Sequence, residues 1–225
     1  MLEIGSYDVN GSIRSLFNAA GQYIGVDLCE GPGVDLVSYG HELNQPTGSF
    51  DITLSGECFE HDPHWRETFL NMVRMTRPGG LVAFSCASRG RLEHGTLRTN
   101  PASSPGTQSI GSDYYRNIEE RDFADMGLDR LFQSFKFWYL SGHFDLLFAG
   151  VTTGGDHPAH IPEDREVASL NDLMSGPYKA VTSPLRTLAS LLPDSRYQSI
   201  ALPFSRLLRP AVGYFERRRT TADTN

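Results

Sequence analysis

The fold is decided near the start of the chain, by the stretch Leu2-Glu3-Ile4-Gly5-Ser6-Tyr7-Asp8-Val9-Asn10-Gly11. A short apolar run there leads into a glycine turn, the pattern of a strand that turns toward a helix. Such a turn lets backbone N–H groups approach a ligand closely. One acid, Glu3, lies two residues before Gly5, and a second acid, Asp27, ends the next apolar run 22 residues after Gly5. Because an acid at that place in a nucleotide-binding α/β sheet accepts the ribose hydroxyls, the two features together predict a nucleoside site.

The spacing of the glycines limits what this turn can bind. Five residues without a glycine separate Gly5 from Gly11, so the pattern is not the Gly-x-Gly-x-x-Gly cradle of a dinucleotide pyrophosphate. The sequence therefore favours a nucleoside without phosphates.

Short apolar runs recur through the first 90 residues, separated by polar or helical stretches. Runs of this length between helices predict a parallel sheet with helical crossovers. The five predicted strands are Leu2–Gly5, Tyr23–Asp27, Val34–Val37, Phe50–Ser55 and Leu81–Cys86.

Two of the intervening stretches have the apolar spacing of a helix. The apolar positions are Ile13, Leu16, Phe17 and Ala20 in the first stretch and Trp65, Phe69, Met72 and Met75 in the second. Asp62 and Pro63 are start signals for the second helix. The sequence Pro78-Gly79-Gly80 is its stop signal and turns the chain into the fifth strand.

Both edges of the predicted sheet depart from a uniform parallel arrangement. Only seven residues separate Asp27 from Asp35, and a helical crossover normally needs about ten or more, so we expect a sheet trimmed at the third strand. Further along, Phe135–Leu140 and Phe144–Val151 are close enough to form an antiparallel hairpin.

Between Ser88 and Ser112 the polar composition predicts a long loop, followed by short helices around Tyr114–Phe123.

Composition and charge exclude several classes of protein. The chain has 225 residues and a formal charge of −7, with 39% hydrophobic and 21% charged residues, so it is neither fibrous nor broadly disordered. No apolar run approaches the roughly 20 residues of a membrane-spanning helix and no signal peptide opens the chain, so we expect a soluble, cytoplasmic protein. The overall acidity argues against DNA binding. Three distant cysteines, Cys29, Cys58 and Cys86, exclude a disulfide framework.

The last third of the chain has a different composition. We predict a first domain over residues 1–153 and a linker with a helical appendage over residues 154–225. A polar linker spans Asp156–Glu166, and Ser183-Pro184 is a predicted helix start. Residues 205–219 carry a charge of +4, against −11 for the remainder, so this basic tail is a candidate contact for a membrane surface or a partner protein.

Taken in order, five elements resemble class I S-adenosylmethionine-dependent methyltransferases of the small-molecule type. They are Glu3-x-Gly5, Asp27, Phe50-Asp51-Ile52, Glu57-x-x-Glu60-His61 and Arg77-Pro78-Gly79-Gly80. The resemblance covers about residues 1–151. It implies an α/β fold with a Rossmann-like, mostly parallel seven-stranded sheet, an antiparallel terminal hairpin and S-adenosylmethionine as cofactor. In that family a helix usually precedes the first strand, so we expect either that this chain dispenses with it or that its start lies upstream.

The resemblance also assigns roles along the cofactor. Asp27 would bind the ribose and Leu28 would lie against the adenine. Gly40 and His41 fall where the family contacts the adenine, with Tyr39 in place of the usual aspartate. The positions implied for the methionine moiety are Glu3, Gly5, Ser6, Ser55, Gly56 and Glu57.

The Glu60-His61 pair follows the fourth strand, at the mouth of the cofactor site in the resembling family. His61 is either a general base for a hydroxyl acceptor or a structural residue that caps the next helix. Glu57, Glu60 and His61 could also hold a divalent ion. However, acids three residues apart face one point only across a tight turn, and we expect no metal.

The loop after the fifth strand should cover the carboxyl edge of the sheet, where ligands bind in such folds. Its Arg and His content favours an acceptor with phosphate or carboxylate. Its candidate groups are Arg89, Arg91, His94, Arg98, Asp113, Tyr114, Tyr115 and Arg116. Among them His94 and Tyr114 are the predicted catalytic residues, together with His61.

The leading hypothesis is methyl transfer to a small or carrier-linked acceptor, at a hydroxyl oxygen such as that of a sugar or secondary metabolite. The expectation of a sugar hydroxyl as acceptor rests on the resemblance alone. Two alternatives stay open: a non-catalytic binding or scaffold protein with this fold, and a nicotinamide-dependent oxidoreductase. The sequence leaves the oligomeric state open.

Overall fold

The computed structural model describes residues 1–170 and 176–204. Seven strands form one sheet: β1 (Leu2–Ile4), β2 (Ile24–Asp27), β3 (Leu36–Val37), β4 (Phe50–Gly56), β5 (Thr76–Ala87), β6 (Phe132–Leu140) and β7 (Asp145–Thr152). The helices are α1 (Trp65–Met75), α2 (Pro105–Ser109), α3 (Leu128–Leu131), α4 (Asp164–Ser169) and α5 (Gly176–Leu191).

The strand order is β3-β2-β1-β4-β5-β7-β6. Strands β1 to β5 are parallel, whereas β7 pairs antiparallel with both β5 and β6. The predicted mostly parallel seven-stranded sheet with an antiparallel terminal hairpin is thus confirmed. The trimmed edge is confirmed as well, because β3 has only two residues and no helix lies between β2 and β3.

Helix α1 was predicted correctly and buries the apolar face that its spacing indicated. Trp65, Phe69, Met72 and Met75 are each at most 2% exposed. Phe69 packs edge-on against Phe84 of β5, with ring centroids 5.9 Å apart. Burial of these large side chains between helix and sheet is the main stabilising contribution to this layer.

The predicted helix over Ile13–Ala20 is wrong. Only a 3-10 turn, Ile13–Phe17, forms there, and none of its residues is buried; Leu16 is 78% exposed. Apolar spacing stabilises a helix mainly when the apolar face packs against a core, which this segment does not do.

Two further boundaries differ from the prediction. The sequence Pro78-Gly79-Gly80 lies inside β5 rather than before it, at a register irregularity where Gly79 has φ +73°. Of the short helices predicted around Tyr114–Phe123, only a 3-10 turn at Glu120–Phe123 exists. The preceding backbone bonds to other segments instead: the N–H of Arg116 donates to the Glu60 carbonyl at 2.9 Å.

The C-terminal part of the described chain packs on the loop after β5. Helix α5 begins at Gly176, not at Ser183, so Pro184 lies inside it. A proline removes one backbone donor from a helix, and the burial of Leu185 and Ala189 against Phe144 offsets that loss. Likewise α4 occupies the end of the predicted linker, from Asp164.

The domain boundary near residue 153 stays a prediction. The basic tail at residues 205–219 lies outside the described residues. Across residues 1–170 and 176–204, no helix combines the length and apolarity needed to cross a membrane.

Candidate active site

The Gly5 loop closes the carboxyl end of β1 against its neighbours. The N–H groups of Gly5 and Ser6 both donate to the carbonyl of Val26, at 2.8 and 3.1 Å. Gly5 has φ +80°, and a Cβ built on it would lie 2.5 Å from Cβ of Cys58. Only glycine takes this backbone without strain at so close an approach.

Asp27 stands at the end of β2 and is held by the same loop. Its carboxylate accepts hydrogen bonds from the backbone N–H of Tyr7 at 3.0 Å and of Leu28 at 2.7 Å. Burial is the larger influence on this carboxyl and raises its pKa, against the two N–H donors. The carboxylate keeps lone pairs for a ligand's hydroxyl groups.

A cavity of about 1300 Å³ opens beside these two elements. It gathers most of the residues predicted for the site: Glu3, Gly5, Ser6, Asp27, Leu28, Gly40, Gly56, Glu57, His61 and His94. The predicted residues that do not line it are His41, Ser55 and Tyr114.

These three have other surroundings. Ser55 is buried within β4. His41 packs against His64, with ring centroids 4.2 Å apart. Tyr114 is half-buried, and its neighbour Tyr115, which does not line the cavity either, packs on the histidines, with its ring 5.4 Å from that of His61 and 5.2 Å from that of His94.

Glu3 lines the cavity from β1 and is almost fully buried. The hydroxyl of Tyr23 donates to its carboxylate. Burial raises the pKa of Glu3, and the same hydrogen bond and burial together raise that of Tyr23.

His61 and His94 come from two different segments. His61 ends a 3-10 turn, Phe59–His61, that follows β4, and His94 lies in the loop after β5. Their rings meet edge to face, with centroids 4.9 Å apart. Burial, and secondarily the proximity of His94, lowers the pKa of His61 to about 4, so its ring is neutral at neutral pH.

A network of charges lies next to the histidines. Ser85 donates to Glu57 at 2.8 Å, and Arg91 is 2.8 Å from Asp145 and 3.6 Å from Glu57. Burial, and then repulsion from Glu57, raises the pKa of Asp145 to about 7. Arg91 was among the candidates predicted from the sequence, whereas Asp145 was not, because it begins the second strand of the hairpin and belongs to no motif.

The loop after β5 reaches back over Asp27. A Cβ on Gly106 of α2 would lie 2.3 Å from a carboxylate oxygen of Asp27, so the α2 backbone packs directly on it. Leu185 of α5 and Leu202 line the cavity as well. The C-terminal segment therefore forms part of its wall.

Comparison with known proteins identifies the fold. The sheet, its order and its antiparallel end are those of the Rossmann-like methyltransferase fold. Residues 2–84, from the Gly5 loop into β5, match the family model described as methyltransferase domain. A search of curated proteins found no match.

Among solved structures, two of the phosphoethanolamine N-methyltransferase 2 of Haemonchus contortus are similar. One is in complex with S-adenosylhomocysteine and phosphomonomethylethanolamine and the other with S-adenosyl-L-methionine. Each has a TM-score of 0.50 and 18% identity, over 68% of this chain and 48% of theirs. The chain thus spans about half the length of these relatives, and the likeness shows the fold. A third similar structure is that of the 1,6-didemethyltoxoflavin-N1-methyltransferase of Burkholderia thailandensis. The match has 17% identity and a TM-score of 0.46, and it extends over 68% of this chain and 71% of that one.

Proposed function

We propose that the chain is an S-adenosylmethionine-dependent methyltransferase that acts on a small-molecule or carrier-linked acceptor at a hydroxyl oxygen. The observation that carries the proposal is a single cavity lined both by the Gly5 loop with Asp27 and by the pair His61 and His94. The first set suits the cofactor and the second suits an acceptor.

The residues present fit this cofactor. Asp27 offers a buried carboxylate for the ribose hydroxyls, with Leu28 beside it for the adenine. Ser6 keeps a buried hydroxyl oxygen that has no hydrogen-bond partner among the described residues, next to the turn that would hold the methionine moiety. Because Gly106 packs on Asp27, the α2 segment must shift, or the ribose must bind beside it.

The bound cofactor would supply a methyl group on a positively charged sulfur, which is already activated for displacement. The chain's own residues then have to align the acceptor oxygen with that methyl group and exclude water. A neutral His61 can accept the hydroxyl hydrogen of an acceptor. Its depressed pKa makes it a weak base, so orientation is its main contribution.

Arg91 gives the acceptor side one fixed positive charge. It lines the cavity and is engaged with Asp145 and Glu57. An acceptor with a phosphate or carboxylate group would compete for its N–H donors.

The experiment is a transfer assay with methyl-labelled S-adenosylmethionine and the full chain. Paired acceptors that differ only in a hydroxyl or an amino group are compared, and label transfer and S-adenosylhomocysteine release are both measured. We expect transfer to hydroxyl acceptors. Transfer to the amine alone would overturn the oxygen preference. Cofactor binding without turnover of any acceptor in a broad panel would favour the scaffold alternative.

The nicotinamide-dependent alternative has no supporting observation. The loop after β1 lacks closely spaced glycines, and the family model that matches residues 2–84 describes a methyltransferase domain. Binding of NADH by the full chain would reverse this judgement.

A further inference from the structure

We propose that Glu60, His61 and His94 form a binding site for one divalent transition-metal ion of the zinc type, at the acceptor side of the cavity. One ligand atom from each of these residues lies within 4.8 Å of the other two. Metal binding itself does not depend on the proposed function, whereas the role of the ion in activating an acceptor rests on it.

The turn after β4 brings two of the ligands together. Glu57 has φ +50°, a left-handed conformation that reverses the chain directly after the strand. The 3-10 turn Phe59–His61 follows, anchored by Phe59, which is fully buried and packs against Phe84 at 4.9 Å between ring centroids. This is the tight turn that the sequence alone did not predict.

Glu60 and His61 are buried without the partners that buried polar groups require. Glu60 is 0% exposed and His61 is 6% exposed. By distance and angle, neither carboxylate oxygen of Glu60 and neither ring nitrogen of His61 has a well-formed hydrogen bond within the described part of the chain, and the nearest backbone groups, those of Ala87 and Tyr114, make only weak contacts with them. Buried polar groups that stay unpaired lose their hydrogen bonds to water without replacement, which is unfavourable. A bound cation would satisfy both residues at once.

His94 is oriented as a metal ligand. Its Nδ1 lies 3.2 Å from the carbonyl oxygen of Leu92. Because that oxygen only accepts, Nδ1 carries the hydrogen and Nε2 keeps its lone pair. Nε2 lies 3.8 Å from a carboxylate oxygen of Glu60. A backbone carbonyl that fixes the tautomer in this way is the usual outer partner of a ligating histidine.

The charges around the cluster leave room for a cation. Arg91, which faces the same region, is engaged with Asp145 and Glu57. The charge of Arg91 is therefore already balanced by carboxylates next to the cluster.

Two imidazoles and one carboxylate favour zinc over magnesium or calcium, which prefer oxygen ligands. Zinc ligands lie at about 2.0–2.2 Å from the ion, so the three side chains must close in by rotation about their torsions. Three protein ligands leave a fourth position open, and His61 and His94 both face the cavity.

An acceptor hydroxyl at that open position would ionise more readily. Its oxygen would then form a bond to the methyl carbon while the carbon–sulfur bond breaks. The sulfonium becomes a neutral thioether and the hydroxyl proton passes to solvent water. This deepens the oxygen preference proposed above, and with the ion bound His61 no longer accepts the hydroxyl hydrogen, because its lone pair is used in binding the metal.

The test measures metal binding without cofactor or acceptor. The full chain is stripped with a chelator and titrated with Co²⁺, followed by its visible absorption, and with Zn²⁺ by calorimetry. We expect one tight site with the absorption bands of a four- or five-coordinate ion. No bands and no tight zinc binding by the wild-type chain would overturn the proposal, whatever the variants do.

The variants locate the site. His94→Ala and Glu60→Gln should each weaken zinc binding by at least about tenfold. His157→Ala is the matched control, because His157 is exposed and does not line the cavity, and it should keep the tight site. Loss in His157→Ala with full binding in folded His94→Ala would contradict the assignment. Circular dichroism checks that each variant is folded.

Failure of this test leaves the proposed function standing, since cofactor binding is measured separately. Conversely, zinc binding in a chain that does not bind S-adenosylmethionine would leave the metal site standing without the methyl transfer.

Discussion

Asp27 is the residue on which cofactor binding depends most directly. Its carboxylate is fixed by the N–H groups of Tyr7 and Leu28, so it is already oriented before a ribose arrives. Asp27→Asn should weaken S-adenosylmethionine binding by about 10- to 100-fold, since hydrogen bonds to a charged group contribute on the order of 1.5–3 kcal/mol. Calorimetry measures the change. The exposed Asp129→Asn is the control, and equal affinities in both variants would contradict the ribose assignment.

Asp145 should make stability depend on pH. Its pKa is raised from the ordinary aspartate value to about 7, so between these values the folded state holds a proton that the unfolded state has lost. The free energy of unfolding therefore gains a contribution that is full at low pH and falls as pH rises toward 7.

Asp145→Asn removes that contribution. The stability of the variant relative to wild type should improve as pH rises from about 4 to 7 and then level off. Urea unfolding at a series of pH values gives the comparison. A difference that does not change with pH would show that the carboxyl of Asp145 titrates normally in the folded protein.

The sequence pointed to His61 and His94 but not to how they meet. Each was identifiable as a polar group next to a predicted strand end. Their contact depends on the path of the loop after β5, and no periodic pattern encodes that path. The same limit explains why Tyr114 was chosen over Tyr115: adjacent loop residues have the same pattern, and only the fold decides which one points inward.

Among the elements, the Gly5 loop has the strictest requirement. Gly5→Ala should destabilise the chain by about 1–3 kcal/mol, because the new side chain meets Cys58 and the backbone is left-handed. Chemical denaturation measures the loss. Gly21→Ala is the matched control, since nothing lies within 4 Å of a Cβ there. An equal loss of stability in both variants would contradict the close approach of Gly5 to Cys58.

The C-terminal helical segment is attached to the loop that carries His94. The Tyr197 hydroxyl donates to the carbonyl of Gly90 at 2.6 Å, and the Gln198 amide donates to that of Arg91 at 2.7 Å. Tyr197→Phe should cost about 0.5–1.5 kcal/mol, since it leaves a buried carbonyl unpaired. The exposed Ser199→Ala should be neutral. An unchanged unfolding midpoint in Tyr197→Phe would show that this docking contributes little.

Elements were predictable where their pattern coincided with burial. Helix α1 follows its apolar spacing because the sheet covers that face. The stretch from Ile13 has similar spacing and forms only a 3-10 turn, because none of the described elements buries its apolar residues. Sequence spacing records which residues could share a face, but it does not record whether another element packs there.

At the scale of the whole molecule, the topology followed from a small number of signals. The glycine turn, the acid at the end of β2, the short crossover to β3 and the terminal hairpin together predicted the sheet and its trimmed edge. The wall formed by Leu185 and Leu202 could not be predicted, because it joins segments far apart in sequence through contacts without a motif.

The central claim is that this cavity binds S-adenosylmethionine, and calorimetric titration of that cofactor into the folded full chain tests it most directly. S-adenosylhomocysteine is titrated in parallel. We predict saturable binding of both ligands at one site. Absence of binding at millimolar ligand, in a chain shown to be folded, would contradict the account.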